Sequence, residues 1–341
     1  MNRSPSPLTM LLSRHARRRK FLIAGLVGAA ALPFVARGQQ LEKAVVGVLH
    51  SGSPEPFTRA LGAFREALRE TGFIEGRDVT VEYRWAEGEY EHLPALAAEL
   101  VSGNVSVIAA MGGNAPAQAA RAATSTIPIV LVSGGDPVAA GLVASLTRPG
   151  GNVTGVSWVA TALISKQLEF LRGLIPAGSA LAALINPTYP EHELQLRELK
   201  QAGDAIGRVE IVEATTADQI SAAFTSFAQR GVAALLVAND PFFVTRGDQL
   251  VALAAQNRIP AMYFSREFTA AGGLLSYGAD LVEATRQGGL YVGKILRGVS
   301  PADLPVQQAS RFELVINMAT AKRLDVPVPA TLLALADEVI E

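Results

Sequence analysis

The sequence predicts an α/β protein of two doubly wound parallel-sheet lobes joined by a hinge that the chain crosses more than once. Three observations carry this. Short apolar runs alternate with segments of helical spacing over residues 44–134, and the same alternation resumes over 180–278. The pieces that follow, up to residue 341, have no place in the second run alone. Strands alternating with helices at this spacing imply parallel sheets covered on both faces.

The first run opens with AVVGVLH (44–50), a continuous apolar stretch suited to a strand buried on both faces. Phe57, Leu61, Phe64 and Leu68 then recur at helical spacing, and Thr71-Gly72 ends that helix. VTVEYRW (79–85) reads as a strand, Leu93 to Val101 as a helix, and VSVIAAM (105–111) as a strand. Residues 114–124 form a helix of small residues, and PIVLVS (128–133) another strand. Within GGNVTGVSWVATA (150–162), the strand-like VTGVSW is expected to cross from one lobe to the other.

In the second run, ALAALIN (180–186), VEIVEA (209–214), VAALLVA (232–238), PAMYFS (260–265) and GLLSYG (273–278) read as strands. Helices are expected over 191–206, 217–229 and 243–257, then 281–297, followed by a strand at FELVIN (312–317) and a helix near 318–324. This places 42–157 and 281–302 in the first lobe, and 160–279 and 303–341 in the second.

Residues 1–38 stand apart. RHARRRK (14–20) precedes FLIAGLVGAAALPFV (21–35), which at 15 residues is shorter than the ~20 a membrane-spanning helix needs. Ala36 and Gly38 then supply the small residues of a signal peptidase site, so cleavage is expected near Gly38. Arg18-Arg19-Lys20-Phe21-Leu22 resembles the twin-arginine export motif, with Arg17 and Ile23 departing from it. The whole chain is nearly neutral, with 30 basic and 31 acidic side chains. Removing the seven bases of the signal leaves 23 against 31, a net charge of −8. So acidic a body lacks the basic footprint of a nucleic-acid binder. The absence of cysteine excludes a lipid anchor, disulfides and thiol chemistry. The mature chain is therefore expected in the periplasm, free of the membrane and monomeric.

The chemistry gathers beyond the carboxyl ends of the strands, where parallel sheets bind ligands. Ser53-Pro54, Asp136-Pro137, Asn186-Pro187 and Asp240-Pro241 each pair a helix-capping residue with proline there, two per lobe. Each is a helix start taken singly; the repetition points to one shared cleft. Met111-Gly112-Gly113-Asn114-Ala115-Pro116 adds a junction where the backbone is open to a ligand, and the helix N–H groups suit a carboxylate. Trp158, Tyr189, Phe242, Phe243 and Tyr277 are candidate walls, and Asp136, Asp240 and Glu267 candidate partners for an ammonium group.

No dinucleotide fingerprint, phosphate-binding loop or Gly-x-Ser-x-Gly elbow is present, and no cofactor or metal is expected. The cluster Glu87, Glu89, Glu91 and His92 reads as a solvated loop. An enzyme built on His50, at the end of the first strand beside Ser51, is the rival reading.

Several stretches together resemble the substrate-binding proteins of ABC transporters, of the tryptophan/tyrosine type. They are VGVLHSGSPEPF, GFIEGRDVTVEYRWAEGEYEHLPALAAELV, ATSTIPIVLVSGGDPVAAGLVASLTRPGGNVTG, VANDPFFVTRGDQLVALAAQNRIPAMY and GGLLSYGADL. The resemblance spans residues 42–341 and implies a type I periplasmic binding fold that closes on a small solute, an aromatic amino acid or related carboxylate. It further implies docking on a membrane permease or, alternatively, on a membrane receptor that senses the ligand. By motif position, Ser51, Ser53, Gly113, Asn114 and Asp136 face the cleft from the first lobe, and Asn186, Asp240, Glu267 and Tyr277 from the second. Gly134-Gly135 before Asp136-Pro137 differs from the Val-Thr-Asp-Pro of tryptophan binders, a departure that points away from tryptophan itself. The export reading has a direct test: Arg18→Lys with Arg19→Lys should hold the precursor in the cytoplasm, as fractionation and blotting would show, whereas continued secretion would indicate the general route.

Overall fold

The computed structural model describes residues 43–309 and 311–341; the expected signal segment, with Arg18 and Arg19, lies outside the described residues. Five apolar strands come first: β1 (Ala44–His50), β2 (Val79–Trp85), β3 (Val107–Met111), β4 (Ile129–Ser133) and β5 (Val153–Ser157). A second series follows: β6 (Leu181–Ile185), β7 (Val209–Glu213), β8 (Ala234–Val237), β9 (Ala261–Tyr263) and β10 (Leu275–Ala279). The chain ends with β11 (Gln307–Gln308), β12 (Phe312–Asn317) and β13 (Glu338–Ile340).

These strands form two sheets, in the orders β11-β5-β4-β3-β1-β2 and β13-β12-β10-β9-β8-β6-β7. All neighbours run parallel except β10 and β12. Helices cover both faces, giving the two α/β lobes that the alternation of patterns implied. Register matters most in the first sheet. Trp85, His50, Met111, Val132 and Val156 stand side by side, so the carboxyl ends of its strands finish at one level.

The chain passes between the sheets after Ser157, again after Ala279 and again after Gln308. Helix Leu281–Leu296 returns to the first lobe and lies close against helix Thr58–Glu70: a Cβ on Gly289 would stand 2.8 Å from that of Ala67. Arg286 pairs with Glu70 at 2.7 Å, and Tyr291 donates to the Pro305 carbonyl at 2.6 Å.

Three details differ from the sequence expectation. VTGVSW is not a crossing; it contributes β5, buried along its length and paired with β4 from Val153 to Ser157. The stretch from 303 to 308, expected in the second lobe, stays with the first. Gln307 and Gln308 pair with Val156 and Ser157, and Thr154 donates to the Leu304 carbonyl at 2.6 Å. Two exposed glutamines carry no apolar signal by which that strand could be read. The helix expected over 243–257 is two, Pro241–Thr245 and Gly247–Gln256, because Arg246 between them leaves helical geometry (φ −103°, ψ 20°). Helices Ile164–Arg172 and Arg266–Ala270 and strand β13 were not anticipated.

Phe64 is fully buried in a core that also holds Leu61, Leu68, Val46 and Val292. Truncating Phe64 to Ala should destabilise the fold by about 3–5 kcal/mol in urea titrations. Leu335→Ala, at a side chain 60% exposed, should change it by no more than about 0.5 kcal/mol.

Candidate ligand-binding cleft

The carboxyl ends of the two sheets meet around a small cavity of about 50 Å³. The first lobe contributes His50, Phe57, Met111, Gly112, Gly113 and Gly134 to its wall. Asn239, Pro241, Val244 and Phe264 close it from the second, with Trp158 at the first crossing. Pockets that hold drug-sized ligands measure ~300–1,000 Å³. Little free space is left between the lobes here.

His50 shows how the sequence shapes this wall. The register of β1 carries its ring to the sheet's end, between Phe57 (4.2 Å between ring centres) and Trp85 (4.8 Å). Burial without a charged partner pushes its pKa down to about 3, so the imidazole is neutral. Its Nδ1 accepts from the Gly52 N–H at 2.8 Å. A neutral ring with one nitrogen engaged by backbone serves as an aromatic wall. Gly113, at φ 97°, turns the chain from β3 into helix Asn114–Ala123 and supplies no side chain to cap it.

Beside the cavity runs a polar seam between the lobes. The Tyr90 hydroxyl of the first lobe donates to Asp240 of the second, and Ser53 donates to Thr245 at 3.0 Å. The Tyr90 and Tyr189 rings lie 6.0 Å apart, and Tyr189 faces Gly113. Asp240 is wholly buried. Its Oδ1 also caps the Phe242 N–H at 2.7 Å, while Oδ2 has no hydrogen-bond partner. Desolvation raises its pKa to about 7, against the partial support of Tyr90, Phe242 and Asn186. Glu191 reaches from the second lobe to Asn114 at the start of the first-lobe helix. Both its carboxylate oxygens are buried without a well-aligned hydrogen bond, and desolvation raises its pKa as well.

The residues expected at the cleft separate into groups. Gly112 and Gly113 line the cavity; Asp240 and Ser53 bridge the lobes. Asn114 is buried beside them, but its amide is taken by Ser133 (2.7 Å) and the Asp136 carbonyl (3.2 Å). Asp136 caps Val138 and Ala139, and Asn186 caps its own turn at Thr188. Ser51 is buried with its hydroxyl unpartnered. Glu267 accepts from Ser265 and, with Ser53, edges a wider open groove of about 440 Å³. The structure does not bring Tyr277 to the cavity. Its ring packs on Phe170 (5.2 Å) and Phe312 (6.4 Å) within the second lobe.

Sequence reasoning missed Tyr90, Glu191 and Phe264. Tyr90 sits in the loop read as solvated, where Glu87, Glu89, Glu91 and His92 are indeed exposed. A lone aromatic among those charges was the available signal.

The family model described as ABC transporter substrate binding protein matches residues 46–340. A tyrosine-binding protein of Clostridioides difficile is 29% identical over 269 residues, 78% of this chain and 76% of that one. Among solved structures, a conserved domain protein from Vibrio cholerae superposes with TM-score 0.80 at 26% identity. A domain from Streptococcus pneumonia in complex with L-Trp superposes with TM-score 0.78 at 26%; each alignment covers 87% of this chain and 100% of the other. A ligand-free, open substrate-binding protein from Clostridium difficile, 25% identical over 87% of this chain and 99% of that one, gives only 0.61.

Asp240 gives the cleft a pH signature. The folded chain keeps its proton up to about 7, whereas an unfolded aspartate loses it near 3.8. Between those values the folded state binds more protons, so stability falls as pH rises through that window. Melting curves from pH ~4 to ~8 should therefore show a slope that Asp240→Asn flattens.

Proposed function

The chain belongs to the family of ABC transporter substrate-binding proteins, and from that premise we propose an exported periplasmic receptor that delivers a small aromatic solute to an ATP-driven importer. One observation carries this reading: an aromatic-walled cavity between two lobes, with walls from both. Hinge closure is the mechanism. Open and closed forms interconvert about the crossing segments, and a solute touching both lobes favours the closed one. The closed form then docks on its permease.

Phe57, His50 and Trp158 accept the ring of the solute, and Gly112, Gly113 and Asn239 let its polar end approach backbone and amide. Relatives named for tyrosine binding and for an L-Trp complex support an aromatic amino acid or a related solute as the ligand class. Tyr90 and Asp240 then act as the latch that closure completes.

Purified protein stripped of ligand should gain thermal stability with aromatic solutes and contract in small-angle X-ray scattering as they bind. Trp158→Ala should lower affinity about tenfold or more, the loss expected of one aromatic contact with its buried area, while leaving the fold intact by circular dichroism. If the stripped protein binds no small solute of any class, the receptor reading fails.

A further inference from the structure

The polar end of the solute is decided by Glu191. This inference rests on the aromatic reading above and refines it. Helix Asn114–Ala123 begins with a glycine that offers no capping side chain, and the Asn114 amide is already engaged within the first lobe. The free N–H groups of its first turn are the natural seat for a ligand carboxylate. In the closed structure the Glu191 carboxylate, from the opposite lobe, lies against that seat beside Asn114. Gly135 makes this possible, since a Cβ there would run into both the Asn114 amide and the Glu191 carboxylate.

We propose that Glu191, admitted by Gly135, stands in for a ligand carboxylate, so that the cleft closes on aromatic solutes that carry an amine and no carboxylate. Charge supports this as well as space. Glu191 takes part in no ion pair among the described residues; its neighbour His192 pairs with Glu193 instead, at 3.4 Å. Asp240, with one oxygen unpartnered, adds a second buried acid to the same seam. A carboxylate brought in by the solute would compete with the Glu191 carboxyl for the same N–H groups at the helix start. An amine does not compete for that seat and can donate to the unpartnered oxygens of Glu191 and Asp240.

Matched pairs test the idea by isothermal titration of ligand-stripped protein at neutral pH: tyrosine against tyramine, phenylalanine against phenethylamine, tryptophan against tryptamine. The amine of the best-bound pair should bind more tightly by about tenfold or more, the scale of one buried charged contact. Glu191→Ala should empty the seat and reduce that preference about tenfold. Gly135→Ala, which displaces the same side chain from the other side, should shift it in the same direction, with melting curves verifying that both variants fold. Tighter binding of the amino acids by the unmodified protein overturns the inference and leaves the aromatic reading standing. So does a preference that neither substitution moves. Binding of no member of any pair overturns the aromatic reading itself, and this inference with it.

Discussion

Asp240 is buried between the two lobes with one of its oxygens unsatisfied, and the seam beside the cavity is arranged around that constraint. A buried carboxylate without a cation is costly unless it is hydrogen-bonded or protonated. The structure uses both remedies. Tyr90 and the Phe242 N–H serve Oδ1, and the raised pKa lets the group hold a proton near neutrality. The Tyr90 hydroxyl comes from the other lobe, so this compensation exists only when the cleft is shut.

The positions of these groups follow from the sheets. Parallel strands buried on both faces leave their interiors to Val, Ile, Leu and Ala, so polar chemistry is confined to the ends. Aligned register then sets His50, Met111 and Val132 at one height as a wall. The seam comes from the loops beyond: Tyr90 follows β2, Asp240 follows β8, and Glu191 follows β6. Division of labour between strand ends and loops separates an apolar cavity from a polar latch only a few residues away.

This division also explains what the sequence disclosed. Continuous apolar runs made strands such as AVVGVLH and ALAALIN legible, because burial on both faces leaves no alternative composition. Capping residues were legible as capping residues: Asp136 and Asn186 both cap the turns they start. Asp240 caps too, yet its second oxygen remains for the seam, a distinction that depends on which groups the opposite lobe presents. Tyr277 was placed in the cleft because it ends a strand, but its side chain falls on the face that meets Phe170 and Phe312. Tyr90 and Glu191 carry no apolar pattern at all. Their roles arise from contacts between segments distant in the chain, as with Tyr90 and Asp240 (separation 150), and spacing within one element cannot disclose them.

The two lobes are unequal partners in the cavity. The first supplies the rings of Phe57 and His50, with Trp85 packed against His50, contacts that exist without the second lobe, and helix Leu281–Leu296 adds Leu281 and Thr285 beside them. The second lobe brings Asn239, Pro241, Val244 and Phe264 across the opening. A neutral His50 belongs with the first group, because a charged imidazole there would need water that the packed rings exclude. Most of the aromatic surface of the cavity therefore lies on one lobe, in contacts that do not depend on the other. The second lobe adds the cover and, through Asp240, the contact with Tyr90.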